Sequence, residues 1–187
     1  MTARDEVLGW FRESGAVLQG HFQYTSGRHG DTYFEKFQVL QHPAYTVKLC
    51  SLIAEHYRDA GATLVAGPTT GGVMLSFEVG RQLGLRAIFA ERAEGGGRAF
   101  GRGFRINRGE KTLIVDDVLT TGGSVQDVID AVRKAGGEPI GVAVLVDRTG
   151  GKADFGLPFF ACLSLEVASY APDECPLCKA GVPVSET

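Results

Sequence analysis

The sequence predicts an α/β fold, a mainly parallel sheet flanked by helices with a small N-terminal hood, and two observations carry that prediction. Short apolar runs at 62–67, 86–90, 112–117 and 140–147 read as buried strands, three of them dominated by Val and Ile, and helical apolar periods fall between or beside them. Strand and helix alternating at this spacing imply right-handed crossovers, hence parallel strands covered on both faces.

Each element has its own warrant. Residues 3–14 read as a short amphipathic helix, and the mixed aromatic and polar stretch "HFQYTSGRHGDTYFEKF" (21–37) resembles a hood beside the sheet more than part of it. Leu49, Leu52, Ile53 and Ala60 mark one face of a helix between Pro43 and Gly61, and Val73, Met74 and Phe77 begin another. Val125, Val128, Ile129 and Val132 fall at i, i+3, i+4 and i+7, so a helix starting near Gly122 has one apolar face for the sheet. The closing "DECPLCKAGVPVSET" (173–187) is polar and contains proline, and little regular structure is expected there. The chain therefore reads as a single domain over 1–187, with a hood (1–40), a core (41–165) and a tail (166–187).

Composition narrows the function classes. A chain of 187 residues with 44% apolar and 22% charged content can bury one sizeable core. A formal net charge of −3 argues against general adhesion to nucleic acid or anionic membranes. No apolar run is long enough to span a bilayer, and acids interrupt what would be the core of a signal peptide, so a cytoplasmic protein is expected. Four cysteines are too few for a disulfide framework at this length. Glycine stands out, with 26 residues at about twice average usage, which suggests loops where backbone approaches a ligand closely.

The chemistry concentrates in "LIVDDVLTTGGSV" (113–125). A buried strand that leads into Asp116 and Asp117 presents two carboxylates at the carboxyl end of a parallel sheet, where ligands bind. The following Thr120, Thr121, Gly122, Gly123 and Ser124 offer backbone N–H groups, hydroxyls and a positive helix terminus, an anion cradle suited to a phosphate. Two acids beside a phosphate cradle point to a ligand with phosphate and hydroxyls or a divalent cation, as a sugar phosphate has. Competing motifs fail: "GPTTGG" (67–72) lacks the Lys-Ser/Thr of a P-loop, no G-x-G-x-x-G opens a helix after a strand, and neither G-x-S-x-G nor H-E-x-x-H occurs.

"LIVDDVLTTGGS" resembles the phosphoribosyl pyrophosphate (PRPP) motif of type I phosphoribosyltransferases. The resemblance implies the fold of that family. It also implies that Asp116 and Asp117 face the ribose hydroxyls, that Thr120, Thr121, Gly122, Gly123 and Ser124 hold the 5′-phosphate, that Val118 and Leu119 belong to the same PRPP-binding segment, and that Thr69, Thr70, Gly71 and Gly72 form the pyrophosphate loop beside Mg²⁺. "TSGRHGDTYF" (25–34) is similar to an N-terminal segment of orotate phosphoribosyltransferases, and "VDR" (146–148) to the strand end whose arginine, here Arg148, reaches the orotate carboxylate. A guanidinium fork facing a carboxylate suits an acidic base. The implied orotate-binding residues are Thr25, Tyr33, Phe34, Lys36, Thr120 and Arg148, and Asp116 and Asp117 are the candidate Mg²⁺ ligands.

Two departures from the family pattern stand out. Thr25 sits where a lysine near the base is usual, and Lys36 is the candidate substitute. The mobile catalytic loop, 91–111, carries Arg92, Arg98, Arg102 and Arg105 before Lys111 and lacks the usual lysines and histidine. Arginine does not donate protons near neutral pH, so the roles expected of Arg92, Arg98 and Arg102 are neutralising pyrophosphate and closing as a lid. The expected reaction is displacement of pyrophosphate from ribose C1 by a ring nitrogen of orotate, giving orotidine 5′-monophosphate in de novo UMP synthesis, without a covalent nucleophile. The resemblance implies a homodimer whose loop reaches the neighbouring site, and neither nucleic acid nor membrane as a partner. A purine or xanthine phosphoribosyltransferase shares the phosphate features but has no use for Arg148. A non-catalytic PRPP-sensing regulator stays open as the other alternative; such regulators usually add a DNA-binding module, for which there is no room before residue 20 and no basic recognition helix. Cys175-Pro-Leu-Cys178 supplies half of a zinc site, and Cys50 and Cys162 have no partner spacing.

Overall fold

The apolar face of each helix decides on which side of the sheet it lies, and the resulting layers leave one crevice open. The structure, a computed structural model, describes residues 3–24, 26–165 and 168–186. The hood comprises α1 (Ala3–Glu13), the strands β1 (Val17–Gln23) and β2 (His29–Phe34), and the short helix α2 (Lys36–Leu40). The core follows with α3 (Pro43–Tyr57), β3 (Leu64–Pro68), α4 (Gly71–Leu83), β4 (Arg86–Arg92), β5 (Arg98–Ala99), β6 (Lys111–Leu119), α5 (Gly123–Lys134), β7 (Glu138–Asp147) and β8 (Phe159–Ser164). In the tail, α6 (Pro176–Lys179) and β9 (Ser185–Glu186) complete the described elements.

The six-stranded sheet has the order β5-β4-β3-β6-β7-β8. All its neighbours are parallel except β4 and β5. Its central strands bury both faces because consecutive side chains alternate. Leu113 and Val115 of β6 pack with Leu49, Ile53, Leu75 and Val79 of α3 and α4. Ile114 of the same strand packs with Val125, Val128, Ile129 and Val132 of α5. The chain adds β4 on one side of β3 and later β6 on the other, so strand order reverses between β3 and β6. The helices after these two strands lie on opposite faces, and the carboxyl ends of β3 and β6 flank the opening between them.

Several expectations need correction. The sequence places the end of the acidic strand at Asp117, yet β6 continues to Leu119 because Val118 and Leu119 pair with Val146 and Asp147 of β7. Met74 and Phe77 of α4 point outward, 37% and 66% exposed, while Leu75 and Val79 face the core. Ala60 lies beyond the end of α3 and is exposed. Strand β8 has no counterpart in the expected strands; it forms the edge of the sheet, mostly half-buried. The tail is more ordered than its composition suggests: β9 pairs in parallel with β1, making the small sheet β2-β1-β9. No helix among the described residues is long and apolar enough to cross a membrane.

One side chain locks the α3 layer to the sheet. The buried Tyr57 hydroxyl lies 2.9 Å from the Val142 carbonyl and 3.0 Å from that of Pro158, spanning β7 and the approach to β8. Gly141 leaves room for it, since a Cβ there would stand 2.5 Å from the Tyr57 ring. Tyr57→Phe removes this donor from both carbonyls, of which that of Pro158 keeps the Val142 N–H, with an expected loss of about 1 kcal/mol. Chemical denaturation reads this as a lower midpoint at unchanged slope.

Candidate active site

Two loops and one arginine strap build the site. Asp116 and Asp117 are buried on β6, 7% and 3% exposed. Asp116 Oδ1 accepts the Asp117 N–H at 2.8 Å, and Asp117 Oδ1 accepts the Val118 N–H at 2.6 Å. The Lys36 ammonium lies 2.9 Å from Asp117 Oδ1 with hydrogen-bond geometry and 2.8 Å from Oδ2 as an ion contact, and Oδ2 has no hydrogen bond of its own. Burial, and after it the charge of Asp117, pushes the Asp116 carboxyl up from the ordinary carboxylate range to about 7.

Beyond the acids the chain turns into α5 through Gly122, whose φ of 84° is left-handed and cheap only for glycine. Asp116 and residues 118–125 line a small hollow of about 50 Å³ at this helix start. This accounts for Val118, Leu119, Thr120, Thr121, Gly122, Gly123 and Ser124 together, with the Leu119 side chain buried beneath the loop. On the other strand end, Thr69 and Thr70 face a larger cavity of about 540 Å³, while Gly71 and Gly72 are buried at the first turn of α4. A Cβ on Gly71 would collide with the Asp117 carboxylate, so glycine there lets the two loops close up.

The large cavity collects most of the remaining candidates. Tyr33, Phe34 and Lys36 line it from the hood, and Thr69, Thr70, Asp116, Asp117, Val118, Thr120 and Ser124 from the core, with Arg92, Arg98 and Arg148. Thr25 lies outside the described residues. Lys36 does not stand free for a base, because its ammonium is held on Asp117. Arg148 is placed by its neighbour: buried Asp147 accepts from the Thr149 N–H at 2.8 Å, the Thr149 hydroxyl at 2.7 Å and the Gly151 N–H at 3.1 Å, fixing the turn after β7. Arg148 Nε is buried without a hydrogen-bond partner, and its guanidinium lies 4.8 Å over the Tyr24 ring.

Tyr24 also lines the cavity, and sequence reasoning missed it. Burial raises its phenol above the ordinary value, opposed by the Arg148 charge. The Tyr24 hydroxyl donates to the Thr32 carbonyl at 2.7 Å, a cross-hairpin bond that no sequence spacing announces.

The arginine segment is folded down onto the site. Arg98 on β5 donates to the Thr69 hydroxyl at 3.2 Å, the Thr69 carbonyl at 3.3 Å and the Ser124 hydroxyl at 3.4 Å, so one guanidinium spans both loops. Arg92 lines the cavity beside it. Arg102 is a correction: its guanidinium forks onto Glu91 at 3.0 and 2.8 Å instead of facing the cavity, because that carboxylate lies on the adjoining strand. Hydrogen bonding from Arg102 in turn holds Glu91 below the usual carboxylate range.

Comparison with known proteins identifies the family. The family model described as "Phosphoribosyl transferase domain" matches residues 37–167. The chain is 51% identical over 180 residues to the orotate phosphoribosyltransferase of Pelotomaculum thermopropionicum, covering 96% of this chain and 94% of that protein. It is likewise 51% identical over 183 residues to that of Heliobacterium modesticaldum, covering 97% and 95%. Among solved structures, the Mycobacterium tuberculosis orotate phosphoribosyltransferase in complex with PRPP superposes with a TM-score of 0.69 at 25% identity, covering 88% of this chain and 97% of that one. A family match across most of the chain, together with relatives at half identity over nearly its whole length, shows that it belongs to the phosphoribosyltransferase family, among the orotate phosphoribosyltransferases.

Proposed function

We propose that the chain is a cytoplasmic, Mg²⁺-dependent homodimer that transfers the phosphoribosyl group of PRPP to orotate, releasing pyrophosphate and orotidine 5′-monophosphate in UMP synthesis. The observation that carries the choice of base is Arg148, with a buried Nε lacking a partner in the cavity that also holds the acid pair. Orotate bears a carboxylate that a guanidinium fork recognises, and an ordinary purine base does not.

Bond exchange at ribose C1 develops positive charge on the sugar and negative charge on the leaving group. Asp116 and Asp117, both lining the cavity, would accept hydrogen bonds from ribose hydroxyls and favour the positive charge. Arg98 and Arg92 meet the negative charge, and Arg98, bridging Thr69 and Ser124, covers both loops. Because guanidinium stays protonated, this loop contributes electrostatics and exclusion of water, not proton transfer. The donor set fits Mg²⁺, which takes one or two carboxylates and fills its shell with water and phosphate oxygens: Asp116 and Asp117 would hold it, and Asp117 Oδ2 lacks a hydrogen bond. Bound there, Mg²⁺ supplies further neutralisation of the leaving pyrophosphate. The homodimer reading is supported by Met74 and Phe77, which leave an apolar strip of α4 in solvent.

The testing experiment follows orotate absorbance after PRPP and Mg²⁺ are added, with adenine, guanine, xanthine and uracil in parallel. Orotate alone should turn over, and turnover of a purine instead would overturn the reading. In the same assay Arg148→Ala should lower kcat/KM for orotate by about 30- to 150-fold, the equivalent of roughly 2–3 kcal/mol for a charge-assisted contact.

The raised Asp116 carboxyl predicts a pH signature. In the unfolded chain it ionises near about pH 4. The folded chain keeps that proton up to about pH 7, so the stabilising contribution is complete below the unfolded value, declines as pH rises between the two and is gone above about pH 7. In metal-free buffer Asp116→Asn should therefore raise Tm at pH 8 and leave it nearly unchanged only below the unfolded value, at about pH 3.5; equal shifts at both pH values would contradict the assignment. Light scattering should give twice the chain mass for the wild type and a single chain for Phe77→Glu, whose charge would be buried in the contact.

A further inference from the structure

The C-x-x-C of the tail finds in the fold the two partners it lacks in the sequence. Cys175 caps α6 and Cys178 lies within that helix, while His21 sits on β1 and His29 at the start of β2. His21, His29 and Cys175 are buried and Cys178 is half-buried, and one ligand atom from each of the four lies within 4.8 Å of every other. All four cysteines are free thiols.

A hydrogen-bonded polar cluster does not account for this convergence. His21 Nδ1 is 2.7 Å from the Val182 carbonyl oxygen, which can only accept, so the ring donates there and a neutral His21 keeps a single lone pair on Nε2. Three groups crowd that lone pair: His29 Nδ1 at 3.1 Å, Cys175 Sγ at 3.5 Å and Cys178 Sγ at 3.6 Å. His29 Nδ1 is itself 3.2 Å from Cys178 Sγ. One lone pair serves one donor, whereas a cation at the centre serves all four atoms. Tetrahedral zinc, with Zn–S of about 2.3 Å and Zn–N of about 2.0–2.1 Å, separates sulfur from nitrogen by roughly 3.5 Å and nitrogen from nitrogen by roughly 3.3 Å. The observed sulfur–nitrogen separations of 3.2, 3.5 and 3.6 Å bracket the first value, and the nitrogen–nitrogen separation of 3.1 Å lies just below the second.

We propose that His21, His29, Cys175 and Cys178 bind one structural Zn²⁺ per chain. Two thiolates and two imidazoles form a closed tetrahedral set that selects zinc over the hard Mg²⁺ and leaves no position for substrate. The Val182 carbonyl acts as the outer partner that orients His21 toward the metal. The metal fastens the tail to the β1–β2 hairpin, which carries Tyr33 and Phe34 and leads through Tyr24 into the cavity. Main-chain bonds reinforce the same junction: His29 and Tyr170 exchange two at 2.9 Å, and β9 pairs with β1. The inference stands apart from the transferase reading, since none of the four ligands lines the cavity.

The test uses the full chain, expressed with zinc and purified reduced and without chelator. Elemental analysis should find about one zinc per chain. Replacement by Co²⁺ should give the intense visible bands of a tetrahedral site together with thiolate-to-cobalt charge transfer. Cys178→Ser should lose the charge-transfer intensity in proportion to the missing thiolate, with circular dichroism showing that it is folded. Should that variant fail to fold, the wild-type cobalt spectrum and its removal by chelator decide the matter alone. Folded, reduced wild type that takes up neither Zn²⁺ nor Co²⁺ would overturn the proposal, as would a Cys175–Cys178 disulfide in protein isolated anaerobically, or zinc retained in full by a Cys175→Ser/Cys178→Ser double variant.

Discussion

Two carboxylates buried side by side on a central strand are the constraint on which the rest of the site depends. The pleat of β6 sends consecutive side chains to opposite faces. Asp117 therefore joins the side of Leu113 and Val115, toward α4 and the hood, while Asp116 joins the side of Ile114, toward the start of α5. Each carboxylate must be partnered or kept neutral in a region largely closed to water. Asp117 takes the Lys36 ammonium, and Gly71 exists as glycine because that carboxylate occupies the space of its Cβ. Asp116 accepts only a backbone N–H from its neighbour among the hydrogen bonds of the site, and burial pushes its carboxyl up to about 7. A ligand that brings hydroxyl donors or a cation supplies what both acids need.

The same need draws distant segments together. Lys36 comes from the hood, Arg98 from the β4–β5 hairpin and Arg148 from the turn after β7, yet all three line one cavity. Each cation is placed by a local device: Lys36 at the first turn of α2, Arg98 by pairing with Arg92, and Arg148 by the turn that Asp147 organises. The proposed zinc clamp belongs to the same logic at the far side of the hood. A small three-stranded sheet has little apolar surface of its own, and a metal cross-link with main-chain pairing holds it where packing alone is thin.

Much of the core was legible because periodicity reports burial directly. The α5 stripe from Val125 to Val132 faces the sheet as its spacing predicts, and the parallel strands lie where continuous apolar runs put them. Periodicity misled at α4, where Met74 and Phe77 are apolar and nevertheless exposed, because hydropathy cannot tell a face turned to the sheet from one turned outward. It also missed β8, an edge strand only half covered. Arg102 and Tyr24 show the limit for side chains. The first is taken by Glu91 and the second comes to lie against Arg148 from the turn after β7, and neither pairing follows from distance along the chain.

By itself the sequence determined the layered α/β plan, the acid pair with its phosphate cradle and the arginine character of the covering loop, since each depends on residues adjacent in the chain. Tertiary structure alone decided which cations reach the cavity, where the strand carrying the acids ends, and what the C-x-x-C meets. Those outcomes depend on contacts such as His21 with Cys175, 154 positions apart, that form only when the hairpin and the tail are folded against each other.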